Sequence, residues 1–278
     1  MKKYSYNDNI ETFEIDPQFL KEGIQYAEKK EHKAIRIITQ NNNSGSKYNL
    51  DFLFFKDKNF IEKLSIGDDF KIGKISHIEE LNSMSGLKHL SLNQSIAIDL
   101  SGLIHLESLY LRHDKEVKNL DKLVDLQDLL VTTTKEVDCQ FLSKLEKIKN
   151  LRICDGVHTL DGLEQLVNLE SLRITHNPKL INIDAISQLP RLKQVYFECC
   201  KGLYDFSVLK ENKSITELFI DILDSLSFIK SMPELEKISF WNLKDGDLTP
   251  LIEAKQLKQF YFYPNKKHYS HKLEEIKK

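Results

Sequence analysis

The chain has 278 residues, and 40 basic side chains stand against 42 acidic ones for a formal charge of −2. That balance argues against wholesale binding of nucleic acid or an anionic membrane, which needs a net basic face. Four cysteines, two of them adjacent at Cys199 and Cys200, are too few and too clustered for a disulfide framework, and no apolar run is long enough to cross a bilayer.

The opening segment, MKKYSYNDNIETFEID, has two lysines with no apolar run behind them, so no secretory signal is expected and a cytoplasmic location with reduced thiols is. Asp16-Pro17 pairs a capping carboxylate with proline at the first helical position, and Leu20, Ile24 and Ala27 then share one face. A helix over about 17–29 is expected from this spacing. The turn-rich stretch Asn41 to Lys47 separates two strand-like runs, Ala34 to Thr39 and Tyr48 to Phe55. HKAIRI (His32 to Ile37) and IEKLSI (Ile61 to Ile66) introduce a phrase that then recurs nine times. It reads LKHLSL from Leu87, LESLYL from Leu106, LQDLLV from Leu126, IKNLRI from Ile148, LESLRI from Leu169, LKQVYF from Leu192, ITELFI from Ile215, LEKISF from Leu235 and LKQFYF from Leu257. The starts are 19 to 23 residues apart. A fixed short period with one apolar template is the mark of a solenoid.

Within each phrase, period-two alternation sends positions four and six to one face of a short strand and positions three, five and seven to the other. After the strand, apolar residues arrive every third position: Leu180, Ile183, Ile186 and Leu189; Leu203, Phe206 and Leu209; Leu226, Ile229 and Met232. That step predicts a return in 3₁₀ or loose helical turns. One coil cannot bury such a stripe, but stacked coils bury it continuously. At the far end Tyr269, Leu273 and Ile276 fit one helical face with Ser270 as cap, so a closing helix over Phe260 and Phe262 is expected.

The phrases resemble leucine-rich repeats, L-x-x-L-x-L-x-x-(N/C/T/S)-x-x-L, with Ser95, Thr134, Asn177 and Cys200 at the ninth position. Segments such as IDAISQL (Ile183 to Leu189) and LDGLEQL (Leu160 to Leu166) are similar to the short bacterial repeats of the internalin type. The resemblance implies an α/β leucine-rich repeat solenoid, with a parallel sheet on the concave face, 3₁₀ or short helical turns on the convex face, and helical end caps. On this reading residues 1–60 form an N-terminal cap continuous with the repeats, 61–263 the repeats, and 264–278 a tail and cap helix. Family likeness further implies a protein partner bound by a monomer, and small bacterial members without export signals are similar to inhibitors and toxin-immunity proteins.

No catalytic constellation is legible. The nine histidines are scattered, and no glycine-rich phosphate loop, HExxH, GxSxG or CxxC appears. His268 and His271 have only Glu274 and Glu275 nearby, short of what structural zinc needs. No enzyme, metal or cofactor is expected. The information lies on the polar strand face instead. Column five of the last six phrases reads Arg152, Arg173, Tyr196, Phe219, Ser239, Tyr261, and column seven includes Glu198, Asp221, Trp241 and Tyr263. Large rings on an open face mark an interaction site, and Trp, Tyr and Arg dominate interface hot spots. The expected partner site is therefore Tyr196, Phe219, Trp241, Tyr261 and Tyr263 with Arg152 and Arg173, rimmed by Glu198, Glu217 and Asp221. Such an acidic rim would suit a basic partner, for instance a nuclease. The alternative is a nucleic-acid or anion binder using Arg112, Arg152 and Arg173, with Tyr110 and Tyr196 for stacking. Cross-strand pairing alone also accounts for adjacent aromatic residues, at up to about 1 kcal/mol each.

Overall fold

The computed structural model describes residues 2–40 and 46–276; the Asn41 to Lys47 turn lies, as far as Gly45, outside them. The chain divides into two compact units, Met1–Thr132 and Thr133–Lys278.

The first unit begins with β1 (Tyr4–Asn7) and β2 (Thr12–Ile15), an antiparallel pair. Asp16 then stops the strand and starts a helix. One carboxylate oxygen accepts the Gln18 N–H at 3.0 Å, the other accepts the Gln40 N–H at 3.0 Å, and Pro17 opens a 3₁₀ turn that runs into α1 (Leu20–Lys29). The α1 face that the spacing predicts, Leu20, Ile24 and Ala27, is buried. Gly23 sits among them because the helix lies hard on β2: a Cβ there would come within 2.4 Å of the Ile15 side chain. The remaining strands are β3 (Ala34–Ile37), β4 (Lys47–Asp51), β5 (Lys63–Ile66), β6 (Lys71–Ser76), β7 (His89–Leu92), β8 (Ile98–Asp99), β9 (Ser108–Arg112), β10 (Val117–Lys118) and β11 (Asp128–Thr132). From β2 the sheet continues through β3, β5, β7, β9 and β11, all parallel. The short parallel pairs β4·β6 and β8·β10 form separate ladders.

The second unit repeats one parallel strand per coil: β12 (Asn150–Cys154), β13 (Ser171–Thr175), β14 (Gln194–Glu198), β15 (Glu217–Leu223), β16 (Lys237–Leu243) and β17 (Gln259–Phe262). The register pairs like positions of successive phrases: Leu172 opposite Leu151 and Val195, and Arg173 opposite Arg152 and Tyr196. Positions four and six are buried in every coil but the last, where Phe260 at position four is half-buried, and the returns are the expected 3₁₀ turns, such as Leu163–Gln165, Asp184–Gln188 and Ser227–Ser231, with a short helix α2 (Thr249–Glu253) before the last strand. Burying an uninterrupted ladder of Leu, Ile, Val and Phe is what holds such a stack, at about 25 cal/mol per Å² of apolar surface removed from water.

The ninth position of a coil closes the turn after the strand. Asn177 accepts the Val157 N–H at 3.0 Å and donates to the carbonyls of Thr175 at 2.7 Å and Ile153 at 3.4 Å. One coil later the Cys200 thiol points at the equivalent pair, the carbonyls of Glu198 at 3.5 Å and Ile174 at 3.7 Å. Burial pushes that thiol up to about 12, so it works as a weak donor. Gly156 holds the same place at φ +126°.

The C-terminal tail differs from the expected helix. Tyr269 is buried edge-on against Phe262 at 5.6 Å, and its hydroxyl accepts the Leu243 N–H at 3.1 Å. Ser270 is spent on the last coil, its N–H donating to the Gly246 carbonyl and its hydroxyl accepting the Leu248 N–H. With Ser270 bonded into the coil it caps no helix, and only the 3₁₀ turn Leu273–Glu275 follows.

Candidate functional site

Among the residues singled out from the sequence, the second unit's strand register brings three into one line, and a ring contact joins a fourth to them. Arg173, Tyr196 and Phe219 stand directly opposite one another on β13, β14 and β15; Ser239 is opposite Phe219 on β16, and Trp241 stands two residues further along that strand. The Arg173 guanidinium carbon lies 4.7 Å from the centre of the Tyr196 ring. Tyr196 stacks on Phe219 at 5.8 Å and 23°, and Phe219 meets Trp241 edge-on at 5.2 Å and 78°. Such cation–ring and ring–ring contacts fix side chains that would otherwise sample several rotamers.

Beneath the line lies an ion network in column three. Glu217 accepts from the Tyr196 hydroxyl at 2.7 Å, from Lys237 Nζ at 2.6 Å and from Gln194 Nε2 at 3.3 Å. Partial burial works against the Glu217 charge, but the hydrogen bonds from Lys237 and Tyr196 outweigh it and hold the carboxyl below its usual range. Tyr196 responds in the opposite sense: burial, then the bond to Glu217, push its phenol up to about 12. Lys237 and Gln194 were not among the residues singled out from the sequence, although Glu217 of the same column was. Their signal was there, since Gln194, Glu217 and Lys237 share position three of consecutive phrases.

Asp221 is not part of an open rim. It is only 6% exposed, and its carboxylate accepts the Cys199 N–H at 2.6 Å. The cause is a change in turn geometry. Thr133, Asp155 and His176 occupy the left-handed region after their strands, each N–H reaching a carbonyl of the next coil: Cys154, Thr175 and Glu198 respectively. Cys199 turns the same way, but β15 runs straight on to Leu223 and the Asp221 side chain supplies the acceptor instead. Burial raises the Asp221 pKa, with the neighbouring Glu198 charge adding to it, and the hydrogen bonds only partly offset this.

The other singled-out residues stand around the line. Arg152 lies opposite Arg173 on β12, and Glu198 is half-buried at the end of β14. Tyr261 faces Ser239 across the β16–β17 pair, so a small residue separates it from Phe219 in column five. Trp241, Tyr261 and Tyr263 are 43%, 55% and 67% exposed. Arg112 and Tyr110, which the anion-binding alternative invokes, belong to the first unit.

Among the described residues no group of three or more His, Cys, Asp or Glu is placed to hold a metal ion, and no helix is long and apolar enough to cross a membrane. No protein-family model matches the sequence, and no curated protein is similar to it. Solved structures are. Internalin C2 from Listeria monocytogenes is 18% identical, aligns over 66% of this chain and 83% of its own, and superposes with a TM-score of 0.51. The functional domain of InlJ from the same organism, which includes a cysteine ladder, is 15% identical, aligns over 78% of this chain and 48% of its own, and superposes with a TM-score of 0.55. At these identities the likeness speaks for the fold, and together with the one-strand-per-phrase register it identifies the chain's fold as a leucine-rich repeat solenoid similar to that of the internalins.

Proposed function

We propose that the chain is a non-catalytic recognition module that binds a protein partner on the open strand face of its second unit. The observation that carries this reading is the run of exposed rings at Trp241, Tyr261 and Tyr263, continuous with a pre-stacked line back to Arg173. Leaving large apolar rings in water has a cost, and rigid aromatic anchors lose little entropy on binding. The site spans several strands and is open, which suits a segment of protein better than a small metabolite enclosed in a pocket. The four cysteines are free thiols, which supports work in a reducing compartment.

Recognition of this kind acts by occupying its partner, and the form we favour is inhibition, including immunity against a toxin. Chemistry of its own is not required, nor a cofactor. Parallel affinity captures with wild-type chain and a Trp241→Ala/Tyr261→Ala double variant test the reading. A protein retained by the first and lost from the second is expected, and the activity of that protein should fall when the wild-type chain is added. Equal capture by both, with no difference in yield, overturns the site. Retention without any effect on the partner's activity removes inhibition and leaves recognition standing.

A further inference from the structure

We infer that the partner segment seated on this face is acidic: an extended stretch that presents a side-chain carboxylate to Arg173 and, about four or five residues along, an apolar side chain to Trp241. The inference rests on the recognition reading above and names the chemistry of its partner.

The charges of the face point this way once each is followed to its partner. Glu217 is neutralised by Lys237 at 2.6 Å and further held by Tyr196. Asp221 is buried on the Cys199 N–H. Neither carboxylate is on offer to a basic partner. Arg173 is the reverse case. It is exposed, its guanidinium lies over the Tyr196 ring at 4.7 Å, and among the described residues no acceptor takes a hydrogen bond from it. A guanidinium lying over a ring still directs its N–H edge outward, and that edge matches both oxygens of a carboxylate. The platform is itself fixed, since the Tyr196 hydroxyl is held by Glu217 and its far neighbour is Phe219. Such a receptor is preorganised, so little entropy is lost when an anion docks.

Spacing gives the second half. Arg173 on β13 and Trp241 on β16 are three strand steps apart, with Trp241 two residues beyond the position in register with Arg173. At about 4.8 Å per step and about 3.4 Å per residue along the strand the diagonal is roughly 16 Å, and an extended chain advances about 3.4 Å per residue. A carboxylate on Arg173 therefore places the side chain about four or five residues on at the edge of Trp241, with Tyr196 and Phe219 beneath the segment between. Glu198, half-buried two residues along β14 from the Tyr196 position, is a carboxylate that would repel such a segment.

A random 12-residue peptide library displayed on phage, selected on the wild-type chain, tests this, with affinities of the enriched peptides then measured by fluorescence anisotropy. Enriched sequences should carry Asp or Glu with Trp, Phe or Leu three to five positions away. Arg173→Gln should weaken them about tenfold or more, the usual scale for losing a charge-assisted bond. Asp→Asn in the peptide should cause the same loss, with no further loss when both changes are combined. Glu198→Gln should tighten binding. Peptides that need Trp241 but show no acid preference, or that ignore Arg173→Gln, overturn the inference and leave the recognition site standing. Peptides indifferent to Trp241→Ala and Tyr261→Ala, or an empty selection, overturn both. Binding of a fluorescein-labelled oligo-dT that needs Arg173 and is not displaced by the peptides would reassign the anion to phosphate and defeat the proposal.

Discussion

The two units build their sheets by the same rule and do opposite things with the face that rule leaves open. In the first, column five reads Arg36, Ser65, Ser91, Tyr110 and Leu130, and column seven pairs polar with polar, the Thr132 hydroxyl donating to Asn93 at 3.0 Å. In the second, the same columns carry Arg173, Tyr196, Phe219, Trp241, Tyr261 and Tyr263. Positions four and six are apolar in both and buried in all but the last coil, where Phe260 is half-buried. The fold is thus written in two columns and the face in two others. Changes in one set should be nearly silent in the other.

The largest expected effect is on the core side. Leu172→Ala empties a fully buried site between Leu151 and Val195 and should cost about 2–5 kcal/mol by urea denaturation, whereas Arg173→Ala on the same strand should cost under about 0.5 kcal/mol. Equal losses would mean that the two sets of columns are not independent.

Next comes the face itself. Truncating a central aromatic anchor costs about 2 kcal/mol or more, roughly thirtyfold in affinity. Trp241→Ala should weaken partner binding by that much with an unchanged melting temperature, and Ser91→Ala at the first unit's column five should change neither. If titration calorimetry finds the Ser91 variant as impaired as the Trp241 one, the contrast between the faces has no functional content.

A smaller effect separates the turns from the face. Asn177→Ala strands the buried Val157 N–H and frees two carbonyls, at a cost of about 1–3 kcal/mol. Cys200→Ala removes only a weak thiol donor from its two carbonyls and should cost less, with partner binding unaltered in both. Were the two substitutions to cost the same in thermal melts, the ninth position would be acting through packing alone.

Most of the fold was legible because its signals are periodic and local. Leu, Ile and Val recur at positions four and six, the returns step by three, and Asp16-Pro17 starts a helix by an interaction between neighbours. The rings of the candidate site were legible for the same reason, since a fixed register turns phrase position into spatial column. What was not legible depends on partners at a distance. Nothing in the phrase ITELFID marks Asp221 as buried, because its burial comes from an unusually long β15 and an N–H donor 22 residues earlier. The tail misled for a related reason: Ser270 has the residue type of a helix cap, but Gly246 and Leu248 already hold it.

Asp221 supplies the smallest and most pointed test, because it sits where the face columns stop being free. Its folded pKa is raised, first by burial, so the folded chain holds that proton more tightly than the unfolded one does at the ordinary carboxyl value of 3.8. Stability therefore falls as pH rises from below 3.8 through the folded value, and the penalty persists above it. Asp221→Asn removes the charge and keeps an oxygen to accept the Cys199 N–H. The variant should be at least as stable as wild type at pH 7, with its relative advantage shrinking as the pH is lowered toward 3.8. Paired denaturation curves across that range cancel the contributions of the other carboxylates, which both proteins share. A variant that is less stable at pH 7, with the gap closing on acidification, would show that the Cys199 N–H stabilises the charge more than burial disfavours it. Asp221 would then be a turn acceptor selected for its charge.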